Sequence, residues 1–276
     1  MKNLLPLQPY TLCADDFAMT QGVSRGILLL AQQKRIHATS CMTNREYWPE
    51  WSQYLKPLRP QLRLGVHLNF TLGSSLSTPT GLVREGRFLP LSSVLFYSML
   101  GQLPYDQIRA EIAAQFDAFV RSMQTPPDFI DGHQHVHVLP TIRKALLDEC
   151  VSRGWQGCVW LRDPSDRIRS IFKRKLAIPK AIFVKILAHR FASQAHKKGF
   201  DTNIGFSGFR SFDDTSCFAD ELKAFQINMG ARHVMMCHPG EIDEELEMLG
   251  ELTSTRLQEL KVLLSESLLS DQIHSD

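Results

Sequence analysis

The chain has 276 residues, enough for one large domain or two ordinary ones, and its 43% apolar and 22% charged residues match a soluble globular protein. A formal net charge of +2 favours no class of partner, and no apolar run approaches the roughly 18 residues that cross a bilayer. Six cysteines (Cys13, Cys41, Cys150, Cys158, Cys217 and Cys237) lack C-x-x-C spacing and sit mostly in apolar contexts, which predicts free, reduced, buried thiols and a cytoplasmic compartment.

Met1–Leu7 imitates the start of a secretory signal, but its apolar run is too short, and a typical cleavage would remove Asp15 and Asp16. Tyr10 to Ala14 is a short apolar run ending in Asp15-Asp16-Phe17, the pattern of a buried strand with two carboxylates at its C-terminal end. Residues 22–33 carry Val23, Ile27, Leu30 and Ala31 at helical spacing, and 36–42 reads as a second strand. The segment 48–58 is aromatic and partly helical, and 62–70 is a third strand with His67 near its end. Residues 71–103, rich in Gly, Ser and Pro, form a surface excursion of the kind that is often functional.

The clearest helix covers 106–123, where Ile108, Ile112, Phe116, Phe119 and Met123 make one stripe. Asp131-Gly132-His133-Gln134-His135-Val136-His137 follows. Side chains two apart on extended chain share a face, so the three imidazoles are expected at one cavity at the end of a strand. A lone histidine on an apolar face is usually a satisfied core residue; three at period two beside an aspartate make a metal-site candidate. Helix is expected over 143–153, strand over 157–162, helix over 218–229, strand over 232–237 leading into His238-Pro239-Gly240, and a last helix over 252–269.

Short apolar strands alternating with amphipathic helices imply a parallel sheet. Asp15, Asp16, His67, His133, Arg162 and His238 all fall at strand C-termini, where a (β/α) barrel builds its active site. No G-x-G-x-x-G or P-loop supports the alternative of an open nucleotide-binding sheet. The expected fold is therefore a single TIM-like (β/α) barrel over residues 1–276, irregular or short of eight full units, with a helical insertion at about 165–200. Within that insertion, 167–200 holds ten Lys/Arg and no Asp or Glu, and its apolar residues suit a helical pair with Pro179 opening the second helix. The bland reading is a solvated cationic face; the others are peripheral membrane contact through 167–198 or attraction of an anionic partner. The apolar face of the insertion also offers a homodimer surface. Aromatics are too sparse there for nucleic acid.

Two imidazoles and one carboxylate holding a divalent ion form a hydrolytic pattern. Neighbours on a strand point oppositely, so of Asp15 and Asp16 one can bind metal while the other serves as general base. Four stretches, Cys-Ala-Asp-Asp-Phe at 13–17, Gly-Val-His-Leu at 65–68, the 131–137 motif and His-Pro-Gly at 238–240, resemble the YdjC/ChbG-type (ChbG/HpnK) carbohydrate deacetylases, in the family's order and over about residues 10–240. The resemblance implies a barrel variant that hydrolyses the N-acetyl group of an amino sugar, chitooligosaccharide-like or lipid-linked. It implies Asp16, His67 and His133 as ligands of one divalent metal ion (Mg2+ or Zn2+), Asp15 as general base and His238 as general acid. Arg162 would orient Asp15 or contact substrate, and His135 and His137 would lie behind the ligands or touch substrate. Trp160, with Phe206 and Phe209, is available as a sugar platform. Two positions depart from the family: Ala18 stands where glycine is usual, which is either harmless or narrows the approach to the metal, and Gln134 stands where a histidine is common, which removes any acid–base role there. Two alternatives remain at this stage. One is a metal-dependent hydrolase of a phosphoester or another amide; the other is a catalytically silent glycan-binding barrel.

Overall fold

The computed structural model describes residues 10–77, 81–211, 216–250 and 252–265. Met1–Leu7 and the end of the expected last helix, 266–269, lie outside them. The first third of the chain supplies β1 (Tyr10–Phe17), α1 (Gln21–Gln32), β2 (Ala38–Cys41), α2 (Trp48–Leu55), β3 (Arg63–Leu68), β4 (Val83–Arg84), β5 (Arg87–Phe88) and α3 (Leu91–Met99). The middle supplies α4 (Tyr105–Met123), β6 (Phe129–Gly132), a 3-10 turn (His133–Val138), α5 (Pro140–Ser152), β7 (Trp160–Leu161), α6 (Ile168–Arg174), α7 (Ile178–Leu187) and α8 (Phe191–Lys197). Then come β8 (Phe206–Ser207), α9 (Phe218–Phe225), β9 (His233–Cys237), α10 (Glu244–Leu249) and α11 (Ser254–Leu264).

Seven strands form one sheet in the order β7-β6-β3-β2-β1-β9-β8, every neighbour parallel. The sheet curls until one segment reaches both edges. The Leu161 N–H donates to the Asp201 carbonyl at 2.9 Å and Thr202 bridges Leu161, while Phe206 and Ser207 further along pair with β9. This is the irregular (β/α) barrel expected from the sequence, short of eight full units.

The pleat sorts side chains into two cores. Leu12 and Ala14 of β1 face the helices, where Val23, Ile27 and Leu30 of α1 and Ile112, Phe116 and Phe119 of α4 cover the sheet. Cys13 of β1, Ala38 of β2, Phe129 of β6, Trp160 of β7, Phe206 of β8 and Val234 and Met236 of β9 fill the lumen instead. Ile171 of α6 and Ala181 and Val184 of α7 join that lumen cluster. The basic insertion is thus three helices rather than a pair, and its buried face plugs the barrel instead of standing off from it.

Local signals explain most elements. Thr20 caps α1 by accepting the Val23 N–H at 3.2 Å, and Asp243 caps α10, which the sequence reading missed, by accepting the Leu246 N–H at 2.9 Å. Gly26 of α1 meets Gly240 so closely that a Cβ on Gly26 would lie 2.9 Å from the Gly240 Cα; this contact seats the His-Pro-Gly turn after β9. All six cysteines are free; four are buried, Cys158 is half-buried and Cys217, against expectation, is exposed. Among the described residues no helix is long and apolar enough to cross a membrane.

His233 opens β9 with its ring buried: Nδ1 accepts the Gly230 N–H at 3.3 Å and Nε2 lies 2.8 Å from the Ser207 hydroxyl. Burial, aided by Arg174, presses its pKa down to about 3. The unfolded imidazole takes its proton near pH 6.5 and the folded one does not, so below that pH the unfolded state binds more protons and stability falls. From pH 7 to pH 5 this group alone costs about 2 kcal/mol. Urea midpoints of His233→Gln should therefore fall less between those pH values than wild-type midpoints; parallel slopes would contradict the assignment.

Candidate metal centre and active site

The pleat of β1 fails where the chemistry begins. Asp15 follows Cys13 by two residues and keeps to the lumen side. A regular strand would turn Asp16 away, but Asp16 has φ +72° and the register against β2 shifts between Ala14 and Phe17. Both carboxylates consequently line one cavity. Left-handed backbone is uncommon outside glycine, and aspartate tolerates it better than most residues.

Around Asp16 three elements converge. Its Oδ1 lies 3.2 Å from Nε2 of His67, at the end of β3, and 2.9 Å from Nδ1 of His133, in the 3-10 turn after β6. Its Oδ2 accepts from Nη2 of Arg256 on α11 at 2.7 Å. On its far side His67 presents Nδ1 to Oδ1 of Asp131 at 2.6 Å, an arrangement that fixes the ring and leaves Nε2 toward Asp16. Ser40 of β2 donates to Oδ1 of Asp15 and lies 3.0 Å from His67 Nδ1.

Arg162 organises the second half. Its guanidinium donates to Asp15 twice, at 2.6 and 2.7 Å, reaches Oδ2 of Asp131 at 2.5 Å and touches the Cys13 sulfur at 3.0 Å. Its side chain is wholly buried and does not line the cavity. Arg162 therefore holds Asp15 from behind, through two hydrogen bonds, without itself lining the cavity.

The electrostatics follow from these contacts. Burial pushes the Asp15 carboxyl up, and Arg162 overrides it, with His67 and His238 adding to the pull, holding Asp15 well below the usual carboxylate range. Asp16 is likewise pushed up by burial and carried well below that range by Arg256 and His133. Burial pulls the His67 imidazolium down, but Asp131, Asp16 and Asp15 hold it up at about 10. Three carboxylates thus face two guanidiniums, an excess of negative charge that also holds the His67 pKa up. Asp16, His67 and His133 offer ligand atoms that all lie within 4.8 Å of one another, and one carboxylate with two imidazoles suits a divalent cation. Charge deficit and donor set both fit such an ion.

His238 follows β9, and its backbone N–H donates to Glu259 of α11 at 2.5 Å. Burial, with Arg256 and Lys180, lowers its imidazole to about 4 against the pull of Asp16 and Asp15. It lines the same cavity as Asp15, Asp16, His67 and His133, a space of about 310 Å³. Leu91 and Leu95 of α3 wall one side, and Lys180, Phe183, Val184 and Leu187 of α7 another.

Two sequence expectations are corrected, and one open alternative is narrowed. The 131–137 motif is not an extended run: Gln134 and His135 have φ of 51° and 61°, which folds His133–Val138 into a 3-10 turn and sends the imidazoles apart. His133 reaches Asp16; His135 lines the cavity with its ring edge-on to Phe206 and Phe209. His137 instead points inward, its Nε2 lying 2.8 Å from the Arg162 carbonyl and its ring against Phe191, away from the cavity. Trp160 is stacked on Phe129 at 4.7 Å inside the lumen and does not line the cavity either, because at the start of β7 an inward residue packs in the barrel's own core. Finally, Ala18 is wholly buried with φ +70° and stands clear of the cavity. A glycine there answers to backbone conformation and not to the approach to a metal. Gln134 lies at the cavity edge, exposed.

Sequence reasoning missed Asp131 as an orienting group, Ser40, Arg256 and Glu259. Asp131 had a signal, since it opens the histidine motif. Arg256 and Glu259 had none, because α11 reaches the site only through the fold.

A family model described as "YdjC-like protein" matches residues 10–272. A chitooligosaccharide deacetylase of Proteus mirabilis (strain HI4320) is 29% identical over 258 residues, 92% of this chain and 90% of that protein. One of the same name from Klebsiella pneumoniae (strain 342) is 28% identical over 259 residues, with the same two coverages of 92% and 90%. A solved structure from Enterococcus faecalis V583, named provisionally for cellobiose-phosphate cleavage, has a TM-score of 0.68 at 23% identity, covering 94% of this chain and 91% of that one. At that identity the likeness is one of fold.

Two substitutions separate strain from charge. Ala18→Gly should leave stability unchanged or raise it by up to about 1 kcal/mol in urea unfolding, since only glycine is unstrained at that φ. Arg162→Met should lose roughly 3–5 kcal/mol by leaving buried carboxylates unpaired. A clear loss in the first or none in the second would contradict the geometry.

Proposed function

This chain belongs to the YdjC-like family, and from that premise we propose that it is a metal-dependent carbohydrate deacetylase, hydrolysing the N-acetyl group of an acetylated amino sugar, chitooligosaccharide-like or lipid-linked. The observation that carries the reading is the convergence of Asp15, Asp16, His67, His133 and His238 on one cavity at the C-terminal ends of parallel strands. The names of the relatives supply the bond and the substrate class.

Asp16, His67 and His133 would hold one divalent ion, Mg2+ or Zn2+. Such an ion supplies Lewis acidity toward an acetamide carbonyl and makes water a nucleophile near neutral pH. Asp131 keeps His67 turned so that Nε2 faces Oδ1 of Asp16, and Arg256 occupies the second oxygen of Asp16. Asp15, held still by Arg162 and Ser40, takes the proton of the attacking water. His238, whose imidazole burial lowers to about 4, lines the same cavity and would hand the proton taken from water on to the departing nitrogen as the C–N bond breaks. His135 stands at the cavity wall as a substrate-facing group. The free cysteines agree with a reducing, cytoplasmic setting.

Asp15→Asn should keep its metal and lose acetate release by at least about 100-fold, and retained turnover would remove Asp15 as base. His67→Ala should lose bound metal on equilibrium dialysis, and unchanged metal content would remove it from the ligand set. Chelator-sensitive cleavage of a phosphoester, with no acetate released from any acetylated sugar, would replace the reaction proposed here.

A further inference from the structure

Away from the ion cluster, the cavity walls do not suit a purely polar glycan. Carbohydrate sites combine hydrogen-bonding groups with flat aromatic platforms. Here Leu91 and Leu95 on one side, and Phe183, Val184 and Leu187 on the other, offer apolar contact, and Lys180 is the one polar side chain among them. The apolar character continues outward from both walls. On α3, Phe96, Met99 and Leu100 are 59, 82 and 53% exposed, and on α7 Phe183 and Ile186 are 50 and 66% exposed. On α6, which packs against α7, Ile168 and Phe172 lie one turn apart and are exposed as well. Scattered exposed apolar residues need no explanation, but a set gathered on the helices around one cavity marks a contact surface.

Charge indicates what covers it. The segment 167–200 holds ten Lys/Arg and no acidic residue, and Arg167, Arg169, Lys173 and Lys175 stand exposed beside Ile168 and Phe172. Short helices with Phe and Ile on one face and Lys and Arg on the other lie in the plane of a membrane interface, and anionic head groups attract such basic clusters. A second copy of the chain would instead set like charges against each other.

We propose that the exposed faces of α3, α6 and α7 dock on an anionic lipid bilayer, with the cavity opening toward it. The docking surface itself is independent of the reaction.

Sedimentation of the full chain with vesicles tests it. Wild type should pellet with phosphatidylglycerol/phosphatidylcholine vesicles, and much less with phosphatidylcholine alone or at high salt. Three double variants, Phe172→Ser/Ile186→Ser, Phe96→Ser/Met99→Ser and Arg169→Glu/Lys173→Glu, should each bind about ten-fold more weakly. All three should release acetate from short water-soluble N-acetylglucosamine oligomers at the wild-type rate. Wild type remaining in the supernatant, variants that bind as wild type does, or a dimer that dissolves in Phe172→Ser/Ile186→Ser would each overturn the proposal. Acetate release without vesicle binding removes the docking surface and spares the reaction. Vesicle binding without acetate release from any sugar, soluble or lipid-borne, does the reverse.

Discussion

One guanidinium holds the centre of this protein together. Arg162 lies wholly buried between Asp15 and Asp131, bonded to both. Without it, two carboxylates would share a barrel lumen with only the His67 imidazole to offset them, at a cost of several kcal/mol. With it, Asp15 is aimed at the cavity and Asp131 at His67. Three strands contribute a member each: β1 carries Asp15, β3 His67 and β6 Asp131, while Arg162 follows β7 directly. The parallel register brings them level, His67 lying directly across from Asp131 on the neighbouring strand. A slip of one residue in any of these pairings would turn a charge out of the cluster.

The remaining imbalance points to the ion. Around Asp15, Asp16 and Asp131 the buried negative charge exceeds what Arg162 and Arg256 offset, and these carboxylates hold the His67 pKa up at about 10. Proton and divalent cation answer the same demand. That demand is also why α11, at the far end of the chain, matters to a site built on β1: Arg256 steadies Asp16, and Glu259 steadies the turn that carries His238. The three-helix insertion has a separate task. It closes the lumen with Ile171, Ala181 and Val184, walls the cavity with Phe183 and Leu187, and keeps its basic, partly apolar outer surface free.

Much of this was legible in the sequence because strand ends are marked by polar residues after apolar runs. The alternation of elements, the barrel and the positions of Asp15, Asp16, His67, His133 and His238 at one face all follow from that pattern. Periodicity misled at 131–137, where two left-handed residues break the extended chain and separate three histidines that a strand would have aligned. It also misled at Trp160, whose place in the lumen is decided by neighbouring strands and not by its own flanks. Backbone strain left no trace that could be read: the positive φ of Asp16, which lets adjacent aspartates face one cavity, contradicts the strand rule that predicts opposite faces. Contacts between distant segments, such as Arg256 with Asp16, exist only once the fold has formed.

The most direct test of the central claim measures bound metal and acetate release on the same purified sample, with and without chelator. The account predicts about one divalent ion per chain and acetate release from acetylated amino sugars that chelation abolishes and metal restores. Acetate release indifferent to chelation, or a chain that binds no divalent ion after reconstitution, would contradict it.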